Sequence, residues 1–249
     1  DAITEQRGGV AHSNLLGPTN VPAVEAAREL VKVAPSDRLT RVFYSDSGST
    51  AVEIALKMAF QYWQQCGNPD GAKRTKFVCL DDAYHGDTIG SVSVGGMELF
   101  HGIYQPLLFH TARTMGMYCY RCPAGRERPD CGLACLDAME EAFAAHEGQV
   151  AALVIEPLMQ GAAGIRIYPP EVLRGAAEIA RRHGALVIAD EVAVGLGRTG
   201  ELFACELAGV EPDLLAVAKG LSGGYLPLAA TLATEEIYEA FKGEHTQYR

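Results

Sequence analysis

The chain has 249 residues, with 21 Lys and Arg against 31 Asp and Glu and a formal net charge of −10. That length buries a sizeable core as one large domain or two small ones, and the acidic balance disfavours binding to nucleic-acid phosphates. The composition, 48% apolar and 21% charged, is that of a folded soluble chain. No apolar run reaches bilayer length, and the opening DAITEQRGGVAHSN lacks the basic and apolar regions of a secretory signal.

Short apolar strands alternate with amphipathic helices, which predicts an α/β fold with a mostly parallel sheet flanked by helices. A helix is expected over 22–33 and a strand over 41–45. The helix over 50–65 is the clearest. Val52, Ala55, Leu56, Ala59, Phe60 and Trp63 recur at helical spacing as one buried stripe, and Thr50 and Glu53 have capping-box spacing at its start. A strand follows over 76–80. The segment 114–135, rich in Cys, Pro, Gly and Arg, reads as a long surface loop. Beyond it come a helix over 136–146, a strand over 150–155, a helix over 170–183 entered through Pro169 and Pro170, strands over 185–190 and 214–218, and a helix over 234–242.

Four of these junctions carry chemistry. Ser45 to Thr50 links a strand to the best helix through small residues, and a helix N-terminus with close backbone access suits a phosphate. The strand 185–190 ends in Asp190 and Glu191, where an acid meets a cationic ring nitrogen or a metal at the carboxyl edge of an open sheet. The strand 214–218 ends in Lys219, with Gly220, Gly223 and Gly224 leaving room around an amine able to form a Schiff base. Tyr84 follows the strand 76–80 and offers a ring to stack on a flat group. Each has a plainer alternative on its own: a helix cap, a surface ion pair, a snorkelling lysine, a core aromatic. Together they supply what pyridoxal phosphate (PLP) needs: an amine for its aldehyde, an acid for its pyridine nitrogen, a phosphate cup and a stacking ring.

Two other motifs compete. Gly195-Leu196-Gly197-Arg198-Thr199-Gly200 matches the dinucleotide pattern G-x-G-x-x-G of NAD-binding oxidoreductases. Its turn is not tight, and the next strand ends in Lys219 where an acid is needed. Cys119, Cys122, Cys131 and Cys135 could hold zinc in a metal-stapled interaction domain. The gap between the pairs is short and Arg121, Arg126 and Arg128 interleave. The seven cysteines, odd in number, are therefore read as reduced thiols of a cytoplasmic protein, with no metal site.

The runs Ser47-Gly48-Ser49-Thr50-Ala51-Val52-Glu53, Tyr84-His85-Gly86, Ile155-Glu156-Pro157, Ala189-Asp190-Glu191, Gly195 to Gly200 and Ala218-Lys219-Gly220 stand in the order found in one family. The sequence resembles the class III, fold-type I PLP-dependent aminotransferases over essentially all of its length. The resemblance implies the large cofactor-binding domain of that fold and an enzyme acting on small-molecule substrates as a homodimer with a shared site. It implies that Lys219 bonds the cofactor aldehyde and serves as acid and base, and that Asp190 pairs with the pyridine nitrogen. The turn Ser47, Gly48 and Ser49 would hold the phosphate, Tyr84 would stack on the ring, and His85 and Glu156 would lie beside the cofactor. Tyr84, Asp87 and Arg198 would define the substrate pocket. Family chains extend before Asp1 and past Arg249, so the Thr that reaches the phosphate from a partner subunit is expected after Arg249.

Overall fold

A computed structural model describes residues 2–10 and 12–243. The strands are β1 (Leu39–Ser45), β2 (Lys76–Leu80), β3 (Ala112–Thr114), β4 (Val150–Ile155), β5 (Met159–Gln160), β6 (Arg166–Ile167), β7 (Leu186–Asp190), β8 (Leu214–Val217) and β9 (Ala229–Thr234). The helices are α1 (Ala2–Gly9), α2 (Val21–Val33), α3 (Gly48–Gln65), α4 (Ile89–Val94), α5 (Glu98–His101), α6 (Ala134–Ala144), α7 (Pro170–Arg182), α8 (Ala204–Ala208) and α9 (Glu235–Ala240). Seven strands form one sheet in the order β1-β9-β8-β7-β4-β2-β3, and β5 and β6 pair as a small antiparallel ribbon. The run from β3 to β8 is parallel, and β9 is antiparallel to both of its neighbours. β1 therefore points the same way as β8, and the carboxyl ends of β1, β2, β4, β7 and β8 share one edge.

The strand chemistry explains the layering. β4 reads VAALVI and is buried at every position, as expected where both faces are covered. Its alternate residues serve two cores. Leu153 and Ile155 pack with Met139 and Phe143 of α6 and with Leu173 and Ala176 of α7. Ala152 and Val154 pack with Val52, Ala55 and Trp63 of α3 on the other face. Trp63 Nε1 donates to the Ala151 carbonyl at 2.9 Å, so the indole is buried with its polar atom satisfied.

All five helices and all five strands read from the sequence are present, with ends moved by at most two residues. The loop expectation holds too: no helix or strand lies between Thr114 and Ala134. Two local expectations are corrected. The capping box of α3 belongs to Ser47 and Thr50, not to Thr50 and Glu53, because Ser47 holds the extended backbone (φ −151°, ψ 159°) that a cap residue needs. Glu53 is used elsewhere, accepting from the Thr88 hydroxyl at 2.6 Å and from Ser91 N at 3.1 Å. Phe60 leaves the buried stripe and is 42% exposed. The strands β3 and β9, the ribbon β5–β6 and the short helices α1, α4, α5 and α8 complete the fold.

Candidate active site

A cavity of about 1000 Å³ opens at the shared carboxyl edge of the sheet. It is lined by Ser47, Gly48 and Ser49 after β1, Tyr84 to Thr88 after β2, Glu156 after β4, Asp190 at the end of β7 and Lys219 after β8. Nine of the ten residues singled out from the sequence thus converge from five chain segments. Arg198 is the exception, lying exposed on the loop after β7 and outside the cavity lining.

One wall is the start of α3. Ser47 Oγ accepts from Thr50 N at 3.2 Å, while the amides of Gly48 and Ser49 have no acceptor within the helix, as for any first turn. A Cβ on Gly48 would stand 2.4 Å from Val192 Cγ1, so only glycine lets the loop after β7 close onto this turn. The Ser49 hydroxyl is partly engaged: it accepts from Thr88 N at 2.9 Å and lies 2.9 Å from Thr88 Oγ1. These bonds fasten the β2 loop to the α3 turn, and they require Gly86 (φ +118°), where a Cβ would meet Ser49 Oγ at 2.3 Å.

The floor is a cluster of buried ionisable groups. Asp190, 4% exposed, receives Val192 N on Oδ1 at 3.0 Å and faces His85 Nδ1 from Oδ2 at 2.7 Å. Burial alone lowers the affinity of His85 for its proton. The hydrogen bond to Asp190 and the negative charges of Asp190 and Glu156 overcome this and raise its pKa. His85 was expected beside the cofactor. Its side chain is wholly buried and, although it borders the cavity, its hydrogen bond goes to Asp190. Burial raises the Glu156 carboxyl, whose two oxygens accept from Tyr84 N at 3.1 Å and Gly161 N at 2.9 Å. Glu156 therefore fixes the backbone on which Tyr84 is mounted.

The remaining groups face the opening. The Tyr84 hydroxyl donates to Asp87 Oδ2 at 2.8 Å, and burial together with that carboxylate pushes the phenol up to about 12. Lys219 is exposed at the cavity mouth, at the start of a single helical turn running to Ser222.

Three roles were invisible in the sequence. Thr88 joins Ser49 to Glu53. The second acid of the Asp190-Glu191 pair points away from the cavity lining and clips the loop that starts there: its carboxylate accepts from Ala204 N at 3.0 Å and Cys205 N at 2.8 Å, and burial pushes it up to about 7. His101 stacks behind Tyr84. Each is a pairing between distant segments, so no local spacing announces it.

The competing motifs resolve differently. The stretch 192–200 is a series of turns that opens no helix, so Gly195 to Gly200 lacks the helix N-terminus a pyrophosphate needs. Cys119, Cys122, Cys131 and Cys135 do gather around one small cavity with Arg126 and Arg128. All four are free thiols. Burial, with the other thiols adding, raises Cys135 to about 11. Among the described residues no three His, Cys, Asp or Glu side chains are placed to hold a metal ion. Nor is any described helix long and apolar enough to cross a membrane.

A sequence profile described as aminotransferase class-III matches residues 1–247. Adenosylmethionine-8-amino-7-oxononanoate aminotransferase of Nitratidesulfovibrio vulgaris is 55% identical over the whole chain, which covers 46% of that protein. The protein of the same name from Geobacter sulfurreducens is 51% identical, with 54% of it covered. The crystal structure of the Methanocaldococcus jannaschii protein of that name superposes with a TM-score of 0.86 at 42% identity, over 98% of this chain and 53% of that one. An amine transaminase from an uncultivated Pseudomonas species, in its PLP-bound internal aldimine form, superposes with a TM-score of 0.90 at 37% identity, over 98% and 55% of the two chains. The chain spans about half the length of these relatives.

Proposed function

The chain belongs to the class-III aminotransferases, and from that premise we propose that it is the large, cofactor-binding domain of a PLP-dependent transaminase. The observation that carries this reading is the convergence of Lys219, Asp190, Tyr84 and the Ser47–Ser49 turn on one cavity. The residues present fit the cofactor. The turn offers two free amides and a close approach that a Cβ would block, and Asp190 is a buried acid with a fixed orientation.

Bound PLP would supply an electrophilic aldehyde and a protonated ring that withdraws electrons from the substrate carbon. The amides of Gly48 and Ser49 would hold its phosphate, Tyr84 would wall its ring, and Asp190 would keep the pyridine nitrogen protonated. His85 and Val192 N keep its carboxylate aimed. Lys219 would be the amine that holds the aldehyde, and its Nζ would move a proton as base and then acid. Asp87 shapes the pocket for substrate; Arg198, the other residue assigned to that pocket, lies on the loop after β7 outside the cavity lining.

The amino donor in this reading is S-adenosylmethionine, with lysine as the other candidate, and the acceptor is 8-amino-7-oxononanoate (7-keto-8-aminopelargonate) of biotin biosynthesis. Support comes from the names of the relatives and from the runs Tyr84-His85-Gly86-Asp87-Thr88, Gly197 to Glu206, Leu221 to Leu228 and Ala11 to Gly17, of which Ala11 lies outside the described residues. The likeness to an amine transaminase supports a second reading, an ω-amino acid or taurine donor with pyruvate as acceptor.

The protein works in this proposal as a cytoplasmic homodimer with the site at the subunit interface. The free thiols support the compartment. The strip Leu99, Phe100, Ile103 and Leu107, between 51% and 86% exposed beside the cavity, supports the second subunit.

Borohydride reduction of the PLP-treated protein tests the reading. Covalent PLP is expected on the peptide containing Lys219 and absent in Lys219→Ala. Labelling of another lysine overturns it. A screen of S-adenosylmethionine, lysine and taurine for donor-dependent loss of the bound PLP spectrum separates the two substrate readings.

A further inference from the structure

We propose that His101 is a positioning residue for substrate recognition: it holds the wall that Tyr84 and Asp87 present to the substrate. The inference rests on the reading of that wall given above.

His101 ends α5 and is only 3% exposed. Its ring lies nearly parallel to that of Tyr84, with centroids 5.8 Å apart and planes 16° apart. On another side it is confined by Gly95, where a Cβ would come within 3.3 Å of its Cε1 and Nδ1. The imidazole therefore fills the space behind Tyr84 and sets the tilt of the phenol ring.

Its polar atoms make a second link. Neither Nδ1 nor Nε2 has a hydrogen-bond partner although both are buried. Leaving a buried polar group unpaired is costly, and such groups in folded proteins ordinarily have a job. Here the nearest acidic atom is Asp87 Oδ1, 3.6 Å from Nε2, just beyond bonding range. The other oxygen of the same carboxylate takes the Tyr84 hydroxyl. The Asp87 side chain is 76% exposed, so the bonded Tyr84 hydroxyl and the nearby imidazole are the neighbours able to orient it. A small inward movement of the β2 loop completes the bond and locks Asp87 between phenol and imidazole. Tyr84, Asp87 and His101 then behave as one unit, with only Tyr84 and Asp87 facing the cavity.

His101 also sits between two outward apolar residues, Leu99 at 86% and Ile103 at 83% exposure.

The test uses the full chain with two variants, His101→Phe, which keeps a stacked ring and loses Nε2–H, and His101→Ala, which loses both. In the PLP-loaded protein, His101→Ala is expected to raise KM for the amino donor about tenfold with kcat changed less than about threefold, the pattern of lost binding rather than lost chemistry. It is also expected to weaken the visible circular dichroism of bound PLP. His101→Phe is expected to restore the dichroism and leave KM raised, because only the Asp87 hold is missing. In the cofactor-free protein, NMR of ring-labelled tyrosine is expected to show one Tyr84 environment in the parent and in His101→Phe, and an averaged one in His101→Ala. A lower melting temperature with KM, dichroism and the Tyr84 signal all unchanged overturns the inference and leaves His101 a packing residue. If the parent takes up no PLP, the proposed function falls, and the NMR comparison still decides the role of His101.

Discussion

The cavity wall built from 47–50 and 84–88 and the cysteine loop 115–133 both stand at junctions between a strand and the helix that follows it, and both carry residues able to bind a ligand. In the wall, nearly every polar group is tied to another chain segment: Ser49 to Thr88, Thr88 to Glu53, Tyr84 to Glu156, His85 to Asp190. The cysteine loop is tied instead to the β5–β6 ribbon and α7, by Met117 N to Gln160 Oε1 at 3.0 Å, Cys119 N to the Ile167 carbonyl at 3.5 Å and Arg128 to Glu171, and its thiols are half-buried. The difference comes from the sheet. The wall hangs on the ends of parallel strands, which bring distant segments to one edge. The cysteine loop is a long excursion after the edge strand β3, and its partners lie on the ribbon and α7 rather than on the large sheet. A motif becomes a site here when strand order supplies its partners.

The largest test of this contrast is Asp190→Asn. It leaves the amide of Val192 and the phosphate turn in place but removes the charge that holds a proton on the pyridine nitrogen. A fall in kcat of roughly a hundredfold or more is expected, with PLP still bound. Turnover within a few-fold of the parent would remove Asp190 from its assigned role.

Glu191 tests whether burial of acids on the site side carries a cost. Its carboxyl titrates near 7 in the folded chain because of burial, against about 4.3 when unfolded. The folded state holds this proton more tightly, so ionisation destabilises it increasingly from about pH 4.3 to about 7, by up to about 4 kcal/mol. Glu191→Gln should therefore gain in melting temperature relative to the parent as pH rises across that window. A difference independent of pH contradicts the assignment.

Gly48→Ala is the next step down. The new Cβ meets Val192, and forcing the two apart should cost about 1–3 kcal/mol and weaken PLP uptake, measured by spectral titration. Wild-type affinity and stability together would mean that the turn and the loop after β7 do not need their close contact.

Cys122→Ser should do least. A stability change within about 0.5 kcal/mol is expected for a loop side chain of this kind, and no stoichiometric zinc is expected in the parent. Near-equimolar zinc in the parent, lost on Cys122→Ser, would erase the contrast between the two regions.

The sequence made one side of this contrast legible and hid the other. Lys219, Asp190 and Tyr84 could be found because each stands where an apolar strand stops, a signal carried by adjacent residues. The α3 stripe was legible for the same reason, as was β4 with its continuous apolar run. β9 escaped because Ala229–Thr234, reading AATLAT, is built of small residues without the β-branched apolar pattern of a strand. Glu53 was misread because two residues with capping chemistry, Ser47 and Thr50, lie within one turn, and only backbone geometry selects between them. The roles of Thr88, Glu191 and His101 arise from contacts between segments that no local pattern links.

The pairing of β1 with β9 has a consequence for how the protein is made. Ser45, at the end of β1, pairs with Ala229, so the strand that leads into the phosphate turn waits for a partner some 180 residues further along. At synthesis rates of about 5–20 residues per second, that is roughly 10–40 s on the ribosome. Through that interval β1 is an unpaired strand beside an apolar helix, and the contact that completes it is among the longest-range in the sheet, the kind that forms slowly. The turn assigned to the phosphate is thus translated well before the strand that flanks its sheet support.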